Sequence, residues 1–147
     1  MLKFECTENQ LVELSIVGYQ FDDEERLDEY DYNWLYIKLN ADLNNKSYTV
    51  TCPALLTWEL RNLSKWFKDL SINKVKKVEL EFLEPCISFE LLSSKTEKIK
   101  QIRINLALEF SQSTSDDGLS VIFEADSQTL KNYSIQIKED LEEFPER

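Results

Sequence analysis

Twice along this chain the spacing of apolar residues changes from two to about 3.6, and each change follows a block of alternating segments. Alternation belongs to strands with one covered face, and the longer period belongs to amphipathic helices. In the first block, Leu2, Phe4 and Cys6 share one face. So do Val12, Leu14 and Ile16 within Leu11–Tyr19, and Leu35, Ile37, Leu39 and Ala41 within Trp34–Leu43. Ser47–Cys52 completes the block. The polar stretches Thr7–Gln10 and Asn44–Lys46 fall where hairpin turns are required, and Pro53 is expected to end the fourth strand. Leu56, Leu60, Leu63, Phe67 and Leu70 then repeat at helical spacing. They predict a helix over Ala54–Leu70, with Thr57 as its cap and Glu59 well placed in its first turn. Trp58 and Trp66 lie off that stripe, either packed at its edge or presented to a partner.

The second block repeats the order. Lys77–Pro85, Cys86–Leu92, Ile99–Phe110 and Leu119–Ala125 alternate, with Leu83–Pro85 as a tight link and Ser111–Gly118 as a polar loop. Leu130, Tyr133, Ile137, Leu141 and Phe144 predict a closing helix over Gln128–Phe144, capped by Asp126 or Ser127. The expected fold is therefore α+β. An antiparallel sheet of about seven or eight strands is covered by two amphipathic helices in the order ββββ-α-ββββ-α, as a single domain over residues 1–147.

The long connection inside the first block is unusual. Between Asp22 and Asp31 it carries seven carboxylates against Arg26, which places six of the chain's eleven net negative charges in ten residues. The central glycine and ligand spacing of a calcium loop are missing, and no single carboxylate is marked for acid–base work. Charge at this density keeps a loop extended and hydrated. Tyr30 and Tyr32 add amphipathic contact area of the kind enriched at interfaces. A solubility device and a partner surface both remain open readings. Asn33 is expected to bond nearby backbone as the chain enters the next strand, with Trp34 anchoring that strand.

Composition narrows the chemistry. The chain has no histidine, which removes Ser-His-Asp and Cys-His nucleophile activation and the commonest transition-metal ligand. Only Gly18 and Gly118 occur, so no glycine-rich phosphate loop can be built. Cys6, Cys52 and Cys86 are odd in number, widely spaced and without a C-x-x-C pair, which suits reduced structural cysteines. Seventeen basic against 28 acidic residues argue against direct nucleic-acid binding and against docking on an anionic membrane. The cluster Lys74–Lys77 reads as a solvated lead-in to a strand. No apolar run approaches membrane-spanning length and the first residues lack signal-peptide character, so a cytoplasmic protein, mature as written, is expected. No catalytic, cofactor-binding or metal-binding residues are assigned.

Several short motifs, taken in order, resemble the WapI-type family of bacterial immunity proteins. They are Gly18-Tyr19-Gln20-Phe21; an acidic stretch ending Asp31-Tyr32-Asn33-Trp34-Leu35; Pro53 with Leu55-Leu56-Thr57-Trp58-Glu59-Leu60; Trp66; Phe82-Leu83-Glu84-Pro85 with Ile87 and Phe89; and Phe144-Pro145-Glu146-Arg147. The resemblance implies a non-enzymatic antidote that binds and blocks the C-terminal domain of a contact-dependent polymorphic toxin. For the best-known relative that toxin acts on tRNA, but toxin domains vary too widely for the activity to be carried over. The shared motifs look architectural and transfer no functional residue set. Charge supplies the candidates instead. An RNA-cleaving toxin presents a basic surface to its substrate, and an acidic protein can dock there. The expected partner-binding residues are Asp22, Asp23, Glu24, Glu25, Asp28, Glu29, Tyr30, Asp31 and Tyr32. Two alternatives stand beside this reading: a non-enzymatic binding or regulatory module with another partner, and an enzyme built on two converging carboxylates.

Overall fold

The computed structural model describes residues 1–22, 24, 28–94, 98–107 and 119–147. Among these, the strands are β1 (Leu2–Glu5), β2 (Leu11–Tyr19), β3 (Trp34–Leu43), β4 (Lys46–Leu56), β5 (Glu79–Leu80), β6 (Ile87–Ser94), β7 (Ile99–Leu106) and β8 (Leu119–Asp126). The helices are α1 (Glu29–Asn33), α2 (Thr57–Ser71) and α3 (Ser127–Glu143). The α+β order ββββ-α-ββββ-α is present, with α1 as an additional single turn in the acidic connection. The eight strands divide into two antiparallel sheets of four, ordered β1-β2-β3-β4 and β5-β6-β7-β8. A lone antiparallel bridge between Cys6 and Phe123 joins them where β1 approaches β8.

The first sheet follows the alternation closely: β2 and β3 have the bounds that the pattern predicts. Its tight turns use left-handed backbone without glycine. Glu8 and Asn9 both have φ of 59°, and Asn44 and Asn45 have φ of 50° and 63°. The latter pair forms the two-residue link between Leu43 and Lys46, where asparagine tolerates the geometry that the hairpin twist demands. Pro53 does not end β4 as expected. The register shifts there, with Tyr36 opposite Pro53 and Leu35 opposite Leu55, so β4 continues to Leu56. Proline lacks an N–H to give the ladder, and a bulge in an edge strand accommodates it. Helix α2 consequently starts at Thr57 rather than Ala54.

The second sheet departs further from expectation. Lys77–Pro85 alternates in sequence, yet only Glu79 and Leu80 pair, and Val78 and Leu83 are exposed. The Val78 carbonyl accepts from the Leu91 N–H of β6 at 2.7 Å, but the paired stretch is too short to impose alternation on the whole segment. β7 ends at Leu106 within the described residues. The far end of its expected range (108–110), like the expected loop Ser111–Gly118, lies outside them.

One continuous core unites both sheets and both long helices. Leu60, Leu63, Phe67 and Leu70 of α2 are buried, and so are Leu130 and Ile137 of α3. Trp66, an off-stripe residue in sequence, is buried as well, with its indole N–H donating to the Lys77 carbonyl at 2.9 Å. Phe4 lies at the centre. Its ring is 6.2 Å from Phe67 of α2, 5.9 Å from Phe89 of β6, and 5.0 Å from both Phe123 of β8 and Tyr133 of α3. Helices α2 and α3 meet through small residues, with Ser64 Oγ 2.9 Å from the Ser134 carbonyl. Asp126 caps α3 by accepting from the Thr129 N–H at 2.8 Å. Those backbone and side-chain bonds to Thr129 hold the Asp126 carboxyl below its ordinary pKa. Burial pushes the Cys6 thiol up to about 11, and the three cysteines form no disulfide.

Candidate functional site

The acidic connection leaves the first sheet after β2 and returns to it at β3, so both of its ends are anchored in the core. Leu35 and Leu55 are buried side by side, and the Gln20 N–H donates to the Trp34 carbonyl at 2.8 Å. The connection is not wholly extended, as its charge density led us to expect. Asp28 Oδ1 accepts from the Asp31 N–H at 2.9 Å and starts the single turn α1. An N-terminal aspartate is the residue such a turn favours, because it satisfies an otherwise orphaned donor.

Nine residues of this connection are partner candidates, and the described ones differ in exposure. Asp22, Glu24, Asp28 and Glu29 are exposed. Tyr30 is 47% exposed, and its ring stands edge-on to Trp58 at 5.3 Å. Asp31 and Tyr32 are half-buried. Asp23 and Glu25 lie outside the described residues. The structure thus brings Tyr30 together with the half-buried Trp58 of α2, and turns Tyr32 toward the base of the connection.

That base is a polar cluster which sequence reasoning missed. Asn33 was expected to bond only nearby backbone. It is instead 1% exposed and uses all four of its hydrogen-bonding positions. Its Nδ2 donates to the Glu29 carbonyl at 2.7 Å and to the Arg147 backbone oxygen at 2.8 Å. Its Oδ1 accepts from Thr57 Oγ1 and from the Arg147 N–H, both at 2.8 Å. Thr57 therefore spends its hydroxyl on Asn33 and does not cap α2. The cap position falls to Leu56, which has no polar side chain, and Glu59 substitutes: its Oε2 accepts from the Leu56 N–H at 2.9 Å. Its Oε1 accepts from the Leu83 N–H at 2.6 Å. Glu59 is the only buried carboxylate among the described residues, and both its oxygens serve the backbone.

The closing residues complete the cluster. Arg147 Nε donates to the Tyr32 carbonyl at 2.9 Å, and Nη2 donates to the Phe21 carbonyl at 2.7 Å. The guanidinium lies 3.8 Å from the centre of the Tyr19 ring and 5.8 Å from that of Tyr32. The Tyr19 hydroxyl donates to the Pro145 carbonyl, Phe144 packs edge-on against Tyr19 at 5.8 Å, and Glu146 pairs with Arg61 at 2.7 Å. The motifs around Tyr19, Asn33, Thr57, Leu83 and Arg147 are scattered over the whole sequence and meet here. Their order along the chain was the one available signal, since no local pattern says that residue 33 touches residues 57 and 147.

Among the described residues no buried side-chain nitrogen or oxygen lacks a partner, and no group of three or more His, Cys, Asp or Glu side chains could hold a metal ion. No described helix is long and apolar enough to cross a membrane. Comparison with curated proteins and with solved structures returns no match. Comparison with family models does: a match over residues 2–145 takes in the motifs around Tyr19, Asn33, Thr57 and Leu83, and the chain belongs to the immunity protein WapI-like family.

Proposed function

We propose that this protein binds a cognate toxin domain in the cytoplasm of the cell that makes both, and blocks it through the acidic face above α1. It does so as a single domain, without catalysis and without a cofactor. The toxin domain presents a cationic surface, as an RNA-cleaving enzyme must. One observation carries the choice of face: Asp22, Glu24, Asp28 and Glu29 are exposed in the same connection as Tyr30, whose exposed ring stands against Trp58. Charged groups there raise the encounter rate, and an aromatic pair supplies rigid apolar contact of the kind that dominates interface energetics. Family membership supports the class of partner, and the carboxylates support its sign of charge.

The test is stopped-flow association with the toxin domain encoded beside this chain, for wild type and for a variant with Asp22, Asp23, Glu24 and Glu25 changed to Asn or Gln. The variant should associate more slowly at low salt and dissociate at nearly the wild-type rate. The difference should shrink as salt shortens the screening length to about 8 Å. Equal association rates at low ionic strength would remove the acidic face from the interface. Co-purification with a different partner in place of a toxin would make this a binding module of another kind.

A further inference from the structure

We infer that Arg147 is a positioning residue that clasps Phe21 to Tyr32, so that the two ends of the acidic connection are held at a fixed spacing before any partner arrives. The inference rests on the proposed acidic face for its biological use, but its geometry stands apart from that reading. Phe21 is the last residue before the acidic run and Tyr32 directly follows it. A single guanidinium donates to the carbonyls of both. The segment between them carries a dense negative charge that drives its ends and its side chains apart. A planar cation with several donors in a fixed fork suits this task, because it can hold two acceptors at a set spacing while adding positive charge at the base.

Arg147 is itself held on every side. Its backbone N–H and oxygen pair reciprocally with Asn33, and its guanidinium rests on the Tyr19 ring. Asn33 is fixed in turn by Thr57 at the start of α2. The two ends of the acidic segment are thereby tied to the core through one residue. Holding a binding segment in its bound arrangement reduces the ordering cost of association, and this gain falls chiefly on dissociation.

The experiment compares Arg147→Ala and Arg147→Lys with wild type by hydrogen exchange on the free protein. The reporters are the amide of Gln20, whose bond to the Trp34 carbonyl spans the base of the connection, and the amides of Asp31 and Tyr32, which bond Asp28 at the start of α1 beside the clasp; the amides of α2 are the control. Charge-assisted bonds of this kind imply about a tenfold or greater loss of protection at the reporters. Lysine should rescue little, since one ammonium keeps the charge but not the fork. The α2 amides should hold their wild-type rates. Unchanged reporters in both variants, or full rescue by lysine, would overturn the clasp. Binding to the adjacent-gene toxin domain gives the second arm. Both variants should dissociate faster, whereas the carboxylate-neutralised variant should chiefly associate more slowly. Faster exchange with wild-type dissociation would overturn the positioning role. Wild-type association by the neutralised variant would overturn the acidic face, and the exchange result would still decide the clasp.

Discussion

Glu29 and Asn33 sit one helical turn apart in α1, and they are used in opposite ways. Glu29 is exposed, with its charge in solvent. Asn33 is buried and spends every donor and acceptor it has on Glu29 in the same turn and on two distant parts of the chain, Thr57 and Arg147. The same contrast separates Glu59 from Asp22 and Glu24. The first is buried and serves two backbone amides; the others lie at the surface. A polar residue type therefore says little about its role in this protein. What decides is whether the fold supplies fixed partners or leaves water as the partner. Where partners are fixed, removing the group strands them without water. Where water is the partner, removal costs the fold almost nothing.

This contrast can be broken most directly at Asn33. Asn33→Ala strands the Thr57 hydroxyl and backbone groups of Glu29 and Arg147, and should cost about 2–4 kcal/mol in chemical denaturation. That is comparable with the roughly 2–5 kcal/mol expected for Leu63→Ala at the centre of the α2 stripe. A loss under about 0.5 kcal/mol at Asn33 would mean that its partners rehydrate freely and that the cluster is not a buried network.

Glu59→Gln is the next smaller effect. The amide keeps one acceptor but turns an NH2 toward one of the two backbone N–H groups, for an expected loss of about 1–3 kcal/mol. Wild-type stability for this variant would show that Leu56 and Leu83 need no acceptor.

Tyrosines extend the comparison to ionisation. Tyr133 is half-buried, with its hydroxyl donating to the Lys3 carbonyl at 3.1 Å, and burial is the main reason its pKa rises to about 12. The folded protein holds that proton more tightly than the unfolded chain, whose tyrosines ionise near 10. The stabilisation is complete below about pH 10 and is lost as the pH climbs toward 12. Tyr133→Phe should flatten this alkaline decline in stability, measured by denaturant midpoint against pH. An unchanged slope would place the alkaline transition on another group. At the far end of the scale, changing Asp22, Asp23, Glu24 and Glu25 to their amides should move stability by less than about 0.5 kcal/mol. A larger loss would show that those carboxylates have fixed partners after all.

How much of this could be read from the sequence follows the same line. Strands β2 and β3 were legible in their bounds, because each has neighbours on both sides and alternates over most of its length, β2 losing the alternation only beyond the bulge between Ile16 and Gly18. The stripe of α2 was legible for the same reason, since a single covered face imposes a single period. Pro53 was misleading because its effect depends on a bulge that only the pairing with Tyr36 reveals. Val78 was misleading because it sits at the end of a pairing only two residues long, which is too short to fix an inner face for the segment. In the candidate site, the charge and the tyrosines were visible. Tyr30's support on Trp58 was not, and neither were the bonds of Asn33 and Arg147, whose partners are remote in sequence.

The bridge from Cys6 to Phe123 has a consequence for how the molecule assembles. Each sheet is a meander whose strands pair with their sequence neighbours, so each can form from local contacts. Joining β1 to β8 instead closes a loop running through most of the chain, and that closure costs entropy before the aromatic contacts of Phe4 repay it. The seam between the sheets should therefore set late in folding. Phe123→Leu should speed unfolding while leaving the folding rate nearly unchanged, the kinetic mark of a contact absent from the transition state. A folding rate that fell in proportion to the lost stability would place the seam in the nucleus, and the two sheets would then form together rather than one after the other.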